Sequence, residues 1–166
     1  MAVKVQIKML GGFHVFADGV VCDDKICKTR KGSMLLQYLI LQRGKSVPCI
    51  ELYEALWPND ESSNPENALK TLVSRTRSLL SAISRELPSC IATNRGSYRF
   101  NAIESCEVDI YEFEAICDEL AQVEELTPDT RAKFTRLLTL YTGDLLPYGA
   151  GRRGWCRAAW TCTTVT

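Results

Sequence analysis

At the start of the chain, Val3, Val5, Ile7 and Met9 alternate with Lys4, Gln6 and Lys8, the period-two pattern of a half-buried strand. After Gly11 and Gly12, the apolar runs FHVF and VVC flank Ala17, Asp18 and Gly19. Asp-Gly between such runs predicts a hairpin, so the chain opens with an antiparallel sheet of about three or four strands. The period then becomes helical. In RKGSMLLQYLILQRG, Met34, Leu35, Tyr38, Leu39 and Leu41 form a stripe, and Gly44 is placed to end it. Pro48 begins a second, short helix, PCIELYEALW, in which Ile50, Tyr53, Leu56 and Trp57 share a face.

The polar, turn-rich WPNDESSNP leads to a third helix, predicted over 65–84, with Asn64 as its N-cap and Pro65 in its first turn. At 100° per residue, Ala68, Leu69, Leu72, Val73, Thr76, Leu79 and Leu80 gather on one side, with Ile83 beyond them. Opposite lie Asn67, Lys70, Thr71, Ser74, Arg75, Arg77, Ser78 and Ser81, an arc without an acid. Past Pro88, CIAT and YRF are strand candidates around the turn Asn94-Arg95-Gly96-Ser97, a second hairpin over 90–100. A sheet, helices of about 15, 9 and 20 residues and a terminal ribbon describe a winged helix-turn-helix, an α+β fold whose last helix enters a DNA major groove.

A further unit starts near Val108. Ile110, Phe113, Ile116 and Leu120 line one helix, and Phe134, Leu137, Leu138 and Tyr141 line another, with Thr127 and Pro128 supplying its cap and first turn. The pair reads as an antiparallel helical hairpin, which needs a second surface to cover it: the first domain, another chain or further repeats.

Charge divides the same way. The formal net charge is zero, yet residues 1–100 carry +5, residues 101–148 carry −8 and the tail carries +3. A basic module facing an anionic partner, joined to an acidic module with another task, accounts for that asymmetry. No apolar run reaches the roughly 18 residues of a membrane span, and MAVKVQIKML lacks a signal-peptide core, so a cytoplasmic protein is expected. The 8 cysteines are scattered without a CxxC, and His14 is the single histidine. Ordinary thiols are expected, not a zinc site or a disulfide framework. GxxxxGK[ST], GxSxG and HExxH are all absent, so neither an enzyme nor a bound cofactor is expected.

The series LGGFHVFADG, TRKGSMLLQYLILQRG, LYEALWP, NALKTLVSRTRSLL and RGSYRF resembles the DNA-binding domain of OmpR/PhoB-type regulators. More particularly, it resembles bacterial transcriptional activators of the antibiotic-regulatory (SARP) type. In those proteins the winged helix is followed by a helical, tetratricopeptide-like bacterial transcriptional activator domain, whose opening EVDIYEFEAICDEL and LLTLYTGDLLP resemble. The expected domains are therefore 1–103, the winged helix; 104–148, the first part of the helical domain; and 149–166, an irregular tail. This tail, GAGRRGWCRAAWTCTTVT, shows no helical or strand period and reads either as a frameshifted end or as a genuine short variant. Ser97 stands before Tyr98 where the family usually has glycine.

Duplex DNA asks a docking helix for cations and for short polar side chains that reach base edges. Lys70, Arg75 and Arg77 supply charge and can read guanine; Asn67 suits adenine; Thr71 and Ser74 can hydrogen-bond or meet a thymine methyl. The family's recognition contacts, carried over, fall on the same six residues. Arg95 in the wing turn is the expected contact to backbone or minor groove, and Arg99 faces either phosphate or the protein's own acids. Trp57 matches a family tryptophan that donates its indole N–H to phosphate, although an aromatic beside proline is commonly packing. Lys28, Arg30 and Lys31 are either phosphate contacts or a solvated cluster. The acidic surface of 104–129 is either solvated or a contact with polymerase or a partner chain. The resemblance further implies activation, RNA polymerase as a partner and two copies on direct repeats. The alternative is a protein-interaction scaffold built from the winged helix and its acidic hairpin.

Overall fold

The computed structural model describes residues 4–22, 30–58 and 64–143; the expectations for Lys28 and for the tail 149–166 lie outside them. The fold is α+β, in the expected order of sheet, three helices and hairpin, followed by a helical pair. Strands β1 (Val5–Lys8), β2 (His14–Ala17) and β3 (Val20–Val21) pair antiparallel. Asp18 and Gly19 both take left-handed φ, +48° and +80°, the geometry that lets a two-residue turn follow the strand twist.

Helix α1 (Arg30–Leu41) runs through the centre and is buried on almost every side, beyond the single stripe expected for it. The second helix, the third helix and the wing all pack on it. Strand β4 (Val47–Pro48) leads into α2 (Cys49–Leu56). Here the expected face is corrected. Ile50 is 70% exposed, and Leu52 takes the buried place beside Tyr53 and Leu56. The pairing of Pro48 with Ser97 and the bond from the Cys49 N–H to the Gly96 carbonyl set the rotation of this first turn, which the helical period alone does not specify.

Helix α3 (Pro65–Ser81) buries Leu69, Val73, Thr76 and Leu80 against α1 and α2. It ends three residues before the expected Leu80–Ser84 turn is complete. The Ala82 and Ile83 N–H groups bond to the carbonyls of Leu79 and Leu80, three residues back, tightening the end into 3₁₀ geometry. At the other end, Asn64 Oδ1 accepts the Asn67 N–H at 3.0 Å. Replacing Asn64 by alanine is expected to cost about 1 kcal/mol, read from urea unfolding, because that donor loses its acceptor. An unshifted midpoint would mean that the cap contributes nothing.

A 3₁₀ turn (Leu87–Cys90) leads into the wing, β5 (Ile91–Asn94) and β6 (Ser97–Phe100), which form a sheet in the order β4-β6-β5. The chain then does something the periodicity does not announce. Strand β7 (Cys106–Val108) returns to the opening sheet and pairs parallel with β1, giving the order β3-β2-β1-β7.

Helices α4 (Asp109–Ala121) and α5 (Pro128–Leu140) follow. Asp109 sits half-buried at the first turn of α4, where its carboxylate accepts the Met9 N–H at 2.8 Å and the Leu10 N–H at 3.1 Å. Burial raises this carboxyl above its ordinary range, outweighing the lowering effect of those N–H donors. The Tyr111 hydroxyl donates to the Ile40 carbonyl at 2.7 Å, and Arg43 pairs with Glu114. The helical pair is thus fastened to the first domain through α4. Helix α5 is held to α4 by Arg136 and Glu112 and by Lys133 and Glu119, while Phe134 and Leu138 stay 48% and 78% exposed. Of the covering surfaces expected for this hairpin, the first domain covers α4 and the end of α5, where Leu140 packs on the core and Thr142 Oγ1 donates to the Leu10 carbonyl at 2.6 Å.

Candidate nucleic-acid interface

The polar arc of α3 faces outward as a continuous strip. Asn67, Lys70, Thr71, Ser74, Arg75, Ser78 and Ser81 are all exposed, because the residues between them are drawn into the core. Their hydroxyls are locally occupied. Thr71 Oγ1 donates to the Asn67 carbonyl at 2.9 Å, and Ser78 Oγ to the Ser74 carbonyl at 3.1 Å. With its proton held by its own helix, Thr71 offers acceptor lone pairs and a methyl group to whatever approaches.

The strip is not free of acid, as the helical wheel suggested. Glu66, in the first turn, forms an ion pair with Lys70 at 2.8 Å, and both side chains are about three-fifths exposed. Their hydrogen bond and mutual charge raise the Lys70 ammonium above its usual range and lower the Glu66 carboxyl. The i,i+4 spacing of Glu66 and Lys70 is the signal that reveals the pair in the sequence. Arg75 has no acidic partner among the described residues. An exposed pair of this kind is weak, so a phosphate can compete with Glu66 for Lys70.

The wing stands beside the strip. Arg95 and Gly96 form its tip with left-handed φ of +26° and +78°, and the register Asn94 opposite Ser97 leaves Arg95 outermost. Ser97 Oγ donates to the Asn94 carbonyl at 2.6 Å, so the residue in place of the family's glycine closes the turn. On β6, Tyr98 and Phe100 point into the core, while Arg99 is exposed. Between α3 and the wing lies an open groove of about 540 Å³, lined by Lys70, Ser74, Arg77, Thr93 and Tyr98 among others.

Two of the basic residues singled out above are turned to internal tasks. Arg77 is half-buried, and its Nη2 donates to the Ile91 carbonyl and to Thr93 Oγ1 at 2.6 and 2.7 Å. Lys31 Nζ donates to the Leu56 carbonyl at 3.1 Å and lies 4.2 Å from the centre of the Trp57 ring. Trp57 also stacks on Tyr53, with ring centres 4.8 Å apart. Its indole is therefore held between a cation and a second aromatic ring at the end of α2. Arg30 is exposed at the start of α1. Neither Glu66 nor Thr93 figured among the expected site residues. Glu66 was legible from its spacing, whereas Thr93 becomes relevant only once Arg77 is seen to reach it.

Among the described residues no three His, Cys, Asp or Glu side chains gather where they could hold a metal ion, and no helix is long and apolar enough to cross a membrane. Residues 23–100, which span the helices and the wing, match the family described as transcriptional regulatory protein, C terminal. Over those residues the chain is similar to this family, that of the OmpR/PhoB-type C-terminal domain. Helix α3 and the wing both lie within the matched residues. Among solved structures, Mycobacterium tuberculosis EmbR, in complex with a low affinity phosphopeptide, is similar with a TM-score of 0.61 and 20% identity. The match covers 87% of this chain and 37% of EmbR, so the chain spans little more than a third of that protein's length. It shows that the winged helix and the helical pair after it share a fold with that part of EmbR. A comparison with curated proteins gives no significant match.

Proposed function

We propose that this chain is a sequence-specific, non-enzymatic DNA-binding regulator of the antibiotic-regulatory type. It docks α3 in the major groove and sets the wing against the adjacent backbone or minor groove. The observation that carries this reading is the exposed strip Asn67, Lys70, Thr71, Ser74 and Arg75, continuous in space with the Arg95 turn. Short polar side chains there can approach base edges, while Arg75, Arg95 and Arg99 supply charge toward phosphates. Trp57, packed at the end of α2, serves mainly to support the approach to α3.

The family suggests the rest of the role: cytoplasmic activation, with RNA polymerase recruited by a pair of copies on direct repeats. The acidic helical pair is the surface on this chain available for that contact. Residues 1–103 and 104–148 then divide the work between reading and relay.

The test is a gel-shift titration on a site selected from random duplexes by the purified chain. Lys70→Ala and Ser74→Ala are expected to change base preference, a contacted base pair being worth about 1 to 3 kcal/mol. Arg95→Ala is expected to weaken all sequences evenly. If all three variants bind as the parent does, the interface is misassigned. A second reading, a protein-interaction scaffold, draws on the exposed Leu126, Phe134 and Leu138 of the helical pair.

A further inference from the structure

We infer that Arg77 is a positioning residue that sets the wing's place relative to α3, an inference that rests on the DNA-binding reading above and departs from a base-reading role for this side chain. In the order β4-β6-β5, strand β5 is an edge. Ile91 lies opposite Phe100, and the neighbouring Cys90 carbonyl accepts the Asn101 N–H. Hydrogen-bonded and non-hydrogen-bonded pairs alternate along an antiparallel ladder, so the Ile91 carbonyl points away from β6. It needs an acceptor's partner on the open side. Arg77 supplies it at 2.6 Å, and the same nitrogen reaches Thr93 Oγ1 at 2.7 Å.

Those contacts lie three residues and one residue before the Asn94 to Ser97 turn that carries Arg95. The opposite strand of the wing is anchored independently, through Val47 opposite Tyr98 and the Cys49 N–H on the Gly96 carbonyl. The wing is therefore held on both edges, by α2 on one side and by Arg77 of α3 on the other. Among the described residues, the Arg77 hydrogen bonds tie it to the helix proposed to read bases. Both acceptors are neutral, so the guanidinium keeps its charge at the floor of the groove while its geometry is set by the protein.

The consequence is a coupling between Arg77 and Arg95. In duplex titrations with the purified chain, Arg77→Met and Arg95→Ala are each expected to weaken binding about tenfold, and the double variant to be no weaker than either alone, the signature of side chains acting through one element. Thr93→Val, at an exposed position that keeps its shape, is expected to give a smaller loss in the same direction. Hydroxyl-radical footprints of Arg77→Met are expected to lose protection where the wing docks, with the preferred bases under α3 unchanged. Losses that multiply to about a hundredfold in the double variant, or a changed base preference in Arg77→Met, would overturn the inference in favour of independent DNA contact. If the parent chain itself shows no salt-sensitive duplex binding, the DNA-binding reading falls and the strut falls with it.

Discussion

Raising salt from about 50 to about 200 mM is expected to weaken duplex binding by the parent chain roughly a hundredfold, with a log-log slope near −3.6 for four phosphate contacts. The four are Lys70, Arg75, Arg95 and Arg99, all exposed on α3 or the wing. Arg77 and Lys31 do not add to the four, because each donates to a protein carbonyl. Each contact releases condensed counterions from the duplex, so the effect grows as the number of phosphates engaged and not as the area covered. Lys70 carries a further condition: it must exchange Glu66 for phosphate, and salt weakens both partners. Fluorescence anisotropy at several salt concentrations gives the slope directly. A slope near zero would remove the DNA-docking reading and leave the interaction scaffold in its place.

Asp109→Ala is expected to lower stability by about 3 kcal/mol, since a hydrogen bond to a charged group contributes about 1.5 to 3 kcal/mol and two backbone donors lose their acceptor together. Those donors belong to Met9 and Leu10, which are 0% and 4% exposed, so water cannot easily replace the carboxylate. Asp109→Asn keeps one acceptor oxygen and removes the charge whose burial is costly, so its loss is expected to be smaller. Chemical denaturation of the two variants separates these contributions. Equal losses would mean that the ionised carboxylate itself, not an acceptor at that position, holds α4 to the opening sheet.

The features legible in the sequence are those specified over a few residues. The Asn64 cap, the Asp18-Gly19 and Arg95-Gly96 turns, and the exposed strip of α3 all follow from local chemistry, and each is present. The features that escaped depend on distant partners. Strand β7 is three residues long, and its partner β1 lies some 100 positions earlier, so ESCEVDI carries only a faint alternation. Ile50 sits on the expected apolar arc of α2, but the strand before that helix turns it to solvent. Arg77 falls among the polar residues on a helical wheel, yet its side chain is long enough to reach the wing, and a wheel records direction without reach.

The parallel return of β7 also dictates an order of events while the chain is being made. Strand β1 leaves the ribosome well before β7 and has to wait until Cys106 to Val108 have appeared before its second neighbour exists. Until then β2 alone covers it, and its other edge offers unpaired backbone groups to any passing strand. Helices α1 to α3 and the wing all lie between those two partners in the chain, a loop closure that makes β7 slow to join. A fragment cut after the wing would keep that edge open permanently. Its tendency to self-associate would come from β1, far in sequence from the cut.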